Sequence, residues 1–326
     1  MAIVHYLNVR EGDCSIIQHN SGRVTVIDVC NARLVSESER LTESLARKFA
    51  AAQGNFNQKE DPDNPIAYMR DRSIDAIFRF ILSHPDMDHL DGIADLFAEF
   101  GPINFWDTDN TCDKSGDNWE ASRYRREDWD LYKSLRTKTA DPKRLVYYSG
   151  QPRCDFWKDD GLHVLSPTPD LVKAANENDE WNDASHVILY KTGGRKILFP
   201  GDCHDDTWAH ILENHADSVT NIDLLIAPHH GRHSDCDFTF LDMLQPKLTL
   251  FGNAKSEHLA YREWSRRNLP KITNNQAGSI IVDFDSDDEF GAWVYCTNKT
   301  FAETVNGNAA KYHESLKAWR CALLPR

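Results

Sequence analysis

Apolar residues come in short runs separated by polar turns along most of the chain. The stretch "AIVHYLNV" and the two halves of "CSIIQHNSGRVTVIDVC" are rich in β-branched residues and are broken by the turn "HNSG". This pattern predicts an opening antiparallel meander. The run "IDAIFRFILSH" predicts a buried strand, and "LDGIADLFAEFG" places Leu90, Ile93, Leu96 and Phe97 at helical spacing with Gly101 as a natural stop. Strand signals return in "LHVLSP", "SHVILYKTGGRKILFPGD", "IDLLIAPHH", "KLTLFGN" and "GSIIVDF". Together these elements predict an α/β fold.

Two polar stretches interrupt the strand pattern. Residues 31–73 read as a polar helix, "ESERLTESLARKFAAAQ", followed by the Pro-, Asn- and Asp-rich loop "NFNQKEDPDNP". Residues 104–160, which include "NWEASRYRREDWDLYKSL", read as a helical insertion. With no internal repeat and no low-complexity linker, one elaborated domain over residues 1–298 is expected, followed by a helical tail over 299–326.

At 326 residues and 40% hydrophobic composition the chain can bury a large core. Its net charge of −14 disfavours loose binding to nucleic acid or to an anionic membrane, so a polyanionic substrate would need local cations. The start, "MAIVHYLNVREGDC", lacks a basic region leading into an apolar one, and no apolar run is long enough to span a bilayer. A cytoplasmic protein with no membrane partner is expected. The eight cysteines form no CxxC pair, which points to reduced, mostly buried thiols rather than to a disulfide framework or a cysteine zinc site.

Candidate chemistry concentrates in "LSHPDMDHLDG", directly after the buried run that starts at Ile74. His84, Asp86, Asp88 and His89 sit on a strand-to-helix turn, and imidazole with carboxylate is a ligand set for Zn²⁺, Mn²⁺ or Fe. Asp86 or Asp88 taken singly could instead cap the next helix. Three later apolar strands deliver the same residue types at their ends: Asp202 after "ILFPG", His229 and His230 after "LLIAP", and His258 in "LFGNAKSEH". Ligands on strand ends converge at a sheet edge, the usual place for an α/β site.

In its motifs the chain resembles the metallo-β-lactamase superfamily, and within it the C-terminal domains of ComEC-type DNA-uptake proteins and their stand-alone relatives. The resemblance is carried by "LNVREGD" (7–13), "SHPDMDH" (83–89), "NDAS" (182–185), "FPGD" (199–202), "HHG" (229–231) and "SEHL" (256–259), in that order. It implies an αββα sandwich with a one- or two-metal hydrolytic site, with two divalent ions, Zn or Mn, as the expected cofactors. Asp202 would be the bridging carboxylate, with His84, Asp86, Asp88, His89, His229, His230 and His258 as further ligands. His186 and His233 are alternatives to His258. Asp88 would also orient the nucleophile. One of His229 and His230 would be a ligand and the other would serve the leaving group or a substrate oxyanion, and His230 is paired with Asp88 as the catalytic assignment. Asp28 and Asn182 would support the ligand loop, although Asp28 also reads as a simple turn residue. Asp86 stands where the superfamily pattern carries His, which makes the set richer in oxygen and favours a harder ion such as Mn²⁺.

The resemblance implies a phosphodiesterase or nuclease. Arg123, Arg125 and Arg126, with Trp119 and Trp129 nearby, offer a cationic, aromatic rim for a single strand, but the same segment reads more simply as a solvated amphipathic helix. The substrate expected is a phosphodiester, either single-stranded nucleic acid or a small molecule. Two alternatives stand beside it: hydrolysis of a small ester, lactone or phosphoester, and a metal-stabilised module whose insertions bind a protein partner.

Overall fold

The computed structural model describes residues 2–34, 56–151, 155–234, 236–286, 288–307 and 310–326. The opening meander forms as expected from Ile3–Tyr6 (β1), Ser15–Gln18 (β2) and Val24–Ile27 (β3), and Gly22 takes the left-handed φ of +83° that its turn requires. Three parallel strands extend it: Arg79–Ile81 (β4), Asn104–Trp106 (β5) and Lys143–Leu145 (β6). A second sheet holds Leu162–Ser166 (β7), Val187–Thr192 (β8), Arg195–Phe199 (β9), Leu224–Ile226 (β10), Leu248–Phe251 (β11) and Lys271–Thr273 (β12). The chain then returns to the first sheet with Ile280–Asp283 (β13), Gly291–Cys296 (β14), Tyr312–His313 (β15) and Ala318–Pro325 (β16).

The sheets pack face to face. One apolar core joins Val4, Ile17, Ile81 and Val282 of the first to Ile188, Ile197, Leu224 and Leu250 of the second. Helix Ile93–Phe100 and helix Arg126–Leu135 cover the outer face of the first sheet through Ile93, Leu96, Trp129 and Tyr132. Trp208 and Ile211 of helix Asp205–Asn214, with Phe240 and Trp264, cover the outer face of the second. The result is the expected two-sheet α/β sandwich with helices outside. Among the described residues no helix is long and apolar enough to cross a membrane.

Several expectations need correction. The segment 104–160 is not wholly an insertion, because β5 and β6 lie inside it and continue the sheet. Three-residue strands are too short to show a period of two. The tail is helical only over Lys299–Asn306; from Ala318 to Pro325 it is a strand paired antiparallel with β14. Trp129 is fully buried, so helix Arg126–Leu135 is the amphipathic helix of the simpler reading. The polar helix expected within residues 37–53 lies outside the described residues. The adjoining chain folds into helix Pro65–Asp71, where the Asn64 side chain accepts from the amides of Ile66 and Ala67 and Pro65 takes the first turn.

Candidate metal centre

Ends of strands from both sheets meet at one point. β4 runs into His84, β9 into Asp202 and β10 into His229 and His230, so the ligand types come from the common edge of the sandwich rather than from one sheet. Asp202 lies at the centre. Its Oδ2 is 3.3 Å from His89 Nε2, 3.4 Å from His230 Nε2, 3.5 Å from His229 Nε2 and 3.9 Å from His84 Nε2. Asp86 Oδ2 is 3.6 Å from His84 Nε2, and Asp88 Oδ2 is 3.5 Å from His230 Nε2.

The two innermost histidines are held in the same way. Asp28, at a left-handed φ of +57° after β3, accepts from the Ser83 amide and hydroxyl at 2.7 Å and pairs with His89 Nδ1 at 2.9 Å. Asp13 accepts from the Tyr6 hydroxyl at 2.7 Å and pairs with His230 Nδ1 at 2.9 Å. A carboxylate that accepts from Nδ1–H leaves Nε2 free as a ligand and fixes the plane of the ring. His229 is anchored more loosely, through Ser234 Oγ at 2.8 Å and His204 Nε2 at 3.3 Å.

Charge is unbalanced inside this cluster. Burial disfavours a charged His89, yet the Asp202 and Asp28 carboxylates outweigh it and raise its pKa well above the usual value. The same happens at His230, where burial is overcome by Asp202 and Asp13. Burial also pushes Asp202 toward its neutral form, but the surrounding imidazoles hold it well below the carboxylate range. At His229 burial wins and lowers the pKa to about 4. The carboxylates around His89 and His230 thus favour positive charge at this point, which a divalent cation would supply.

The donor set fits such ions. His84 Nε2, His89 Nε2, His230 Nε2 and Asp202 Oδ1 are buried with no hydrogen-bond partner, a cost of about 1–3 kcal/mol each if nothing else satisfied them. Among the described residues three overlapping triads have ligand atoms within 4.8 Å of one another: His84, His89 and Asp202; Asp88, His89 and His230; and Asp13, Asp202 and His230.

The structure thus brings together His84, Asp86, Asp88, His89, Asp202, His229 and His230. His258 is in none of these triads: its side chain is half exposed, 3.7 Å from Glu257, and lines a cleft with Arg232, His233 and Ser234, whose hydroxyl contacts His229. His186 is buried against the Leu82 carbonyl. Asn182 reaches His204 at 3.3 Å, and His204 stacks on His229, so its support is indirect. Arg125 is held by Asp95 and the buried Asp128, and Arg126 pairs with Asp130 on its own helix. Sequence reasoning missed Asp13, Tyr6, Ser83, His204 and Lys114, whose Nζ is 3.2 Å from Asp86 Oδ1. Asp13 closes the quoted "LNVREGD" stretch, which was the one available signal for it.

No protein-family model matches the chain, and no curated protein does. Among solved structures the chain is similar to Igni18, a metallo hydrolase from the archaeon Ignicoccus hospitalis, at 11% identity and TM-score 0.46, over 86% of this chain and 99% of that one. It is also similar to a diphosphatase of the PhnP family (14% identity, TM-score 0.38, over 82% and 83%) and to yeast PDE1 (10% identity, TM-score 0.39, over 84% and 98%).

Proposed function

We propose that the chain is a hydrolase of phosphodiesters that works with two divalent ions, Zn²⁺ or Mn²⁺. The observation that carries this reading is Asp202, a buried carboxylate ringed by four imidazole nitrogens at 3.3 to 3.9 Å, with the inner two rings each locked through Nδ1 by a second carboxylate. His84, Asp86, Asp88, His89, Asp202, His229 and His230 would hold the ions. Ions bound there would supply the acidity that makes water a nucleophile near neutral pH and the charge that steadies phosphoryl oxygens.

The remaining work falls to the side chains. Asp28 and Asp13 fix the rings of His89 and His230. Asp88 is more open than Asp202, with its side chain 22% exposed against 4%, and so is the carboxylate placed to orient a water and accept its proton. Lys114, beside Asp86, places a cation next to the cluster for an anionic substrate. The phosphodiester assignment is supported by the sequence likeness to ComEC-type domains.

The test combines metal titration with turnover of bis(4-nitrophenyl) phosphate in Mn²⁺, Zn²⁺ or Mg²⁺. The wild-type chain should bind two ions and cleave the diester, and Asp202→Asn should lose both properties while keeping its fold by circular dichroism. A wild-type chain that takes up neither Zn²⁺ nor Mn²⁺ in calorimetry would overturn the proposal.

A further inference from the structure

A cleft of about 360 Å³ is lined by Arg10, Lys59, Arg123 and Lys255, with Glu11 and Glu60 the acidic side chains on its walls among the described residues. Four cations against two carboxylates is unusual in a chain of net charge −14. Glu11 is already engaged, 3.1 Å from Arg123. Arg10, Lys59 and Lys255 have no ion pair among the described residues.

The walls of this cleft are built onto the metal centre. The turn from Arg10 to Asp13 packs so closely on the centre that a Cβ at Gly12 would lie 2.2 Å from the Asp88 carbonyl. The wall ending in Lys255 follows Gly252, where a Cβ would meet the Tyr6 hydroxyl at 2.6 Å and Asp13 Oδ1 at 3.3 Å. Asn8 ties the cleft together. Its Nδ2 donates to the carbonyls of Gln58 and Asp61 beside Lys59, at 2.8 and 3.1 Å, and its Oδ1 accepts from Asn253 Nδ2 at 2.8 Å. Three chain segments therefore present their cations from fixed backbone, next to Asp88 and Asp13.

Lysine and arginine held without carboxylate partners on preorganised walls are the groups that bind phosphate oxygens. The geometry points to a second phosphate subsite: the cleft receives a further phosphate of the substrate, so the preferred substrate is a phosphodiester carrying at least one phosphate beyond the one cleaved. This rests on the hydrolase reading for what happens at the metal centre, but the subsite itself can be measured by binding alone.

The experiment compares thymidine 3′,5′-bisphosphate with thymidine 5′-monophosphate by calorimetry on the Mn²⁺-loaded full chain. The comparison is repeated with the triple variant Arg10→Gln, Lys59→Gln, Lys255→Gln, whose changes lie on partly or fully exposed side chains. The wild-type chain should bind the bisphosphate about tenfold more tightly, the worth of one charge-assisted contact, and the variant should bind the two alike. A wild-type chain that binds both alike or neither, or a variant that keeps the full preference, would overturn the subsite. In parallel, thymidine 5′-(4-nitrophenyl phosphate) is tested with and without a 3′-phosphate. Selective binding without turnover of either ester would leave the subsite standing and sink the hydrolase reading instead.

Discussion

Asp28 and Asp13 perform one task from opposite flanks of Asp202: each accepts a hydrogen bond from Nδ1–H of a buried histidine and so commits Nε2 to the centre. Partners of this kind typically contribute about 10- to 100-fold in metal affinity. Asp28→Asn should therefore weaken Zn²⁺ binding within that range, because a neutral amide beside His89 Nδ1 neither raises the basicity of the ligating Nε2 nor enforces one tautomer. Calorimetric titration measures it, and an unchanged dissociation constant would show that Asp28 merely shapes its turn. The ligand-type residues themselves were legible in the sequence, since His84, Asp88 and His89 crowd the end of one apolar run and Asp202 ends another. Asp13 was not, because its meaning depends on His230, 217 positions away. The same holds for His258, whose chemistry suits a ligand but whose turn leaves it outside the ligand triads, in the cleft beside Ser234.

At the scale of elements, the turn after β10 decides how the paired histidines point. His229 and His230 both sit at left-handed φ, +49° and +56°, and Gly231 follows at +88°. Two such residues in succession cost about 1–3 kcal/mol each, and strain of this size persists where the surroundings over-determine it. Here the anchors are Asp13 on His230 and Ser234 on His229. Gly231 allows the turn to close against β11, since a Cβ there would lie 2.1 Å from Phe251 Cδ1. Gly231→Ala should thus lower the melting temperature and loosen metal binding together, because Phe251 or the histidine turn must move. A variant with wild-type melting and wild-type metal stoichiometry would contradict that account. Long strands and the helix Ile93–Phe100 were readable from periodicity, whereas β5 and β6, at three residues each, were absorbed into an apparent insertion. Their identity comes from parallel pairing, β5 with β4 and β6 with β5, contacts that no local pattern records.

At the scale of the whole molecule, the C-terminal segment closes the sandwich rather than trailing from it. Strand β16 pairs with β14 along most of its length, Phe301, Cys321 and Leu324 enter the core shared by both sheets, and Arg195 of β9 joins Asp223 at 2.9 Å to the Pro325 carbonyl at 2.6 Å. Losing one buried Phe alone costs about 3–5 kcal/mol, against a total stability of about 5–15 kcal/mol for a domain. Removing β16 also leaves β14 as an open edge, with unpaired backbone groups that recruit other chains. A chain ending at Asn298 should therefore melt at least about 10 °C lower or be recovered as aggregate, even though every candidate metal ligand is retained. Differential scanning calorimetry with and without Mn²⁺ separates the possibilities. If the shortened chain melts where the full chain does, the tail is an appendage and the core needs only the first 298 residues. If it melts lower but regains part of the loss on Mn²⁺ addition, the strand ends still assemble the centre, and the tail acts on the stability of the sandwich alone.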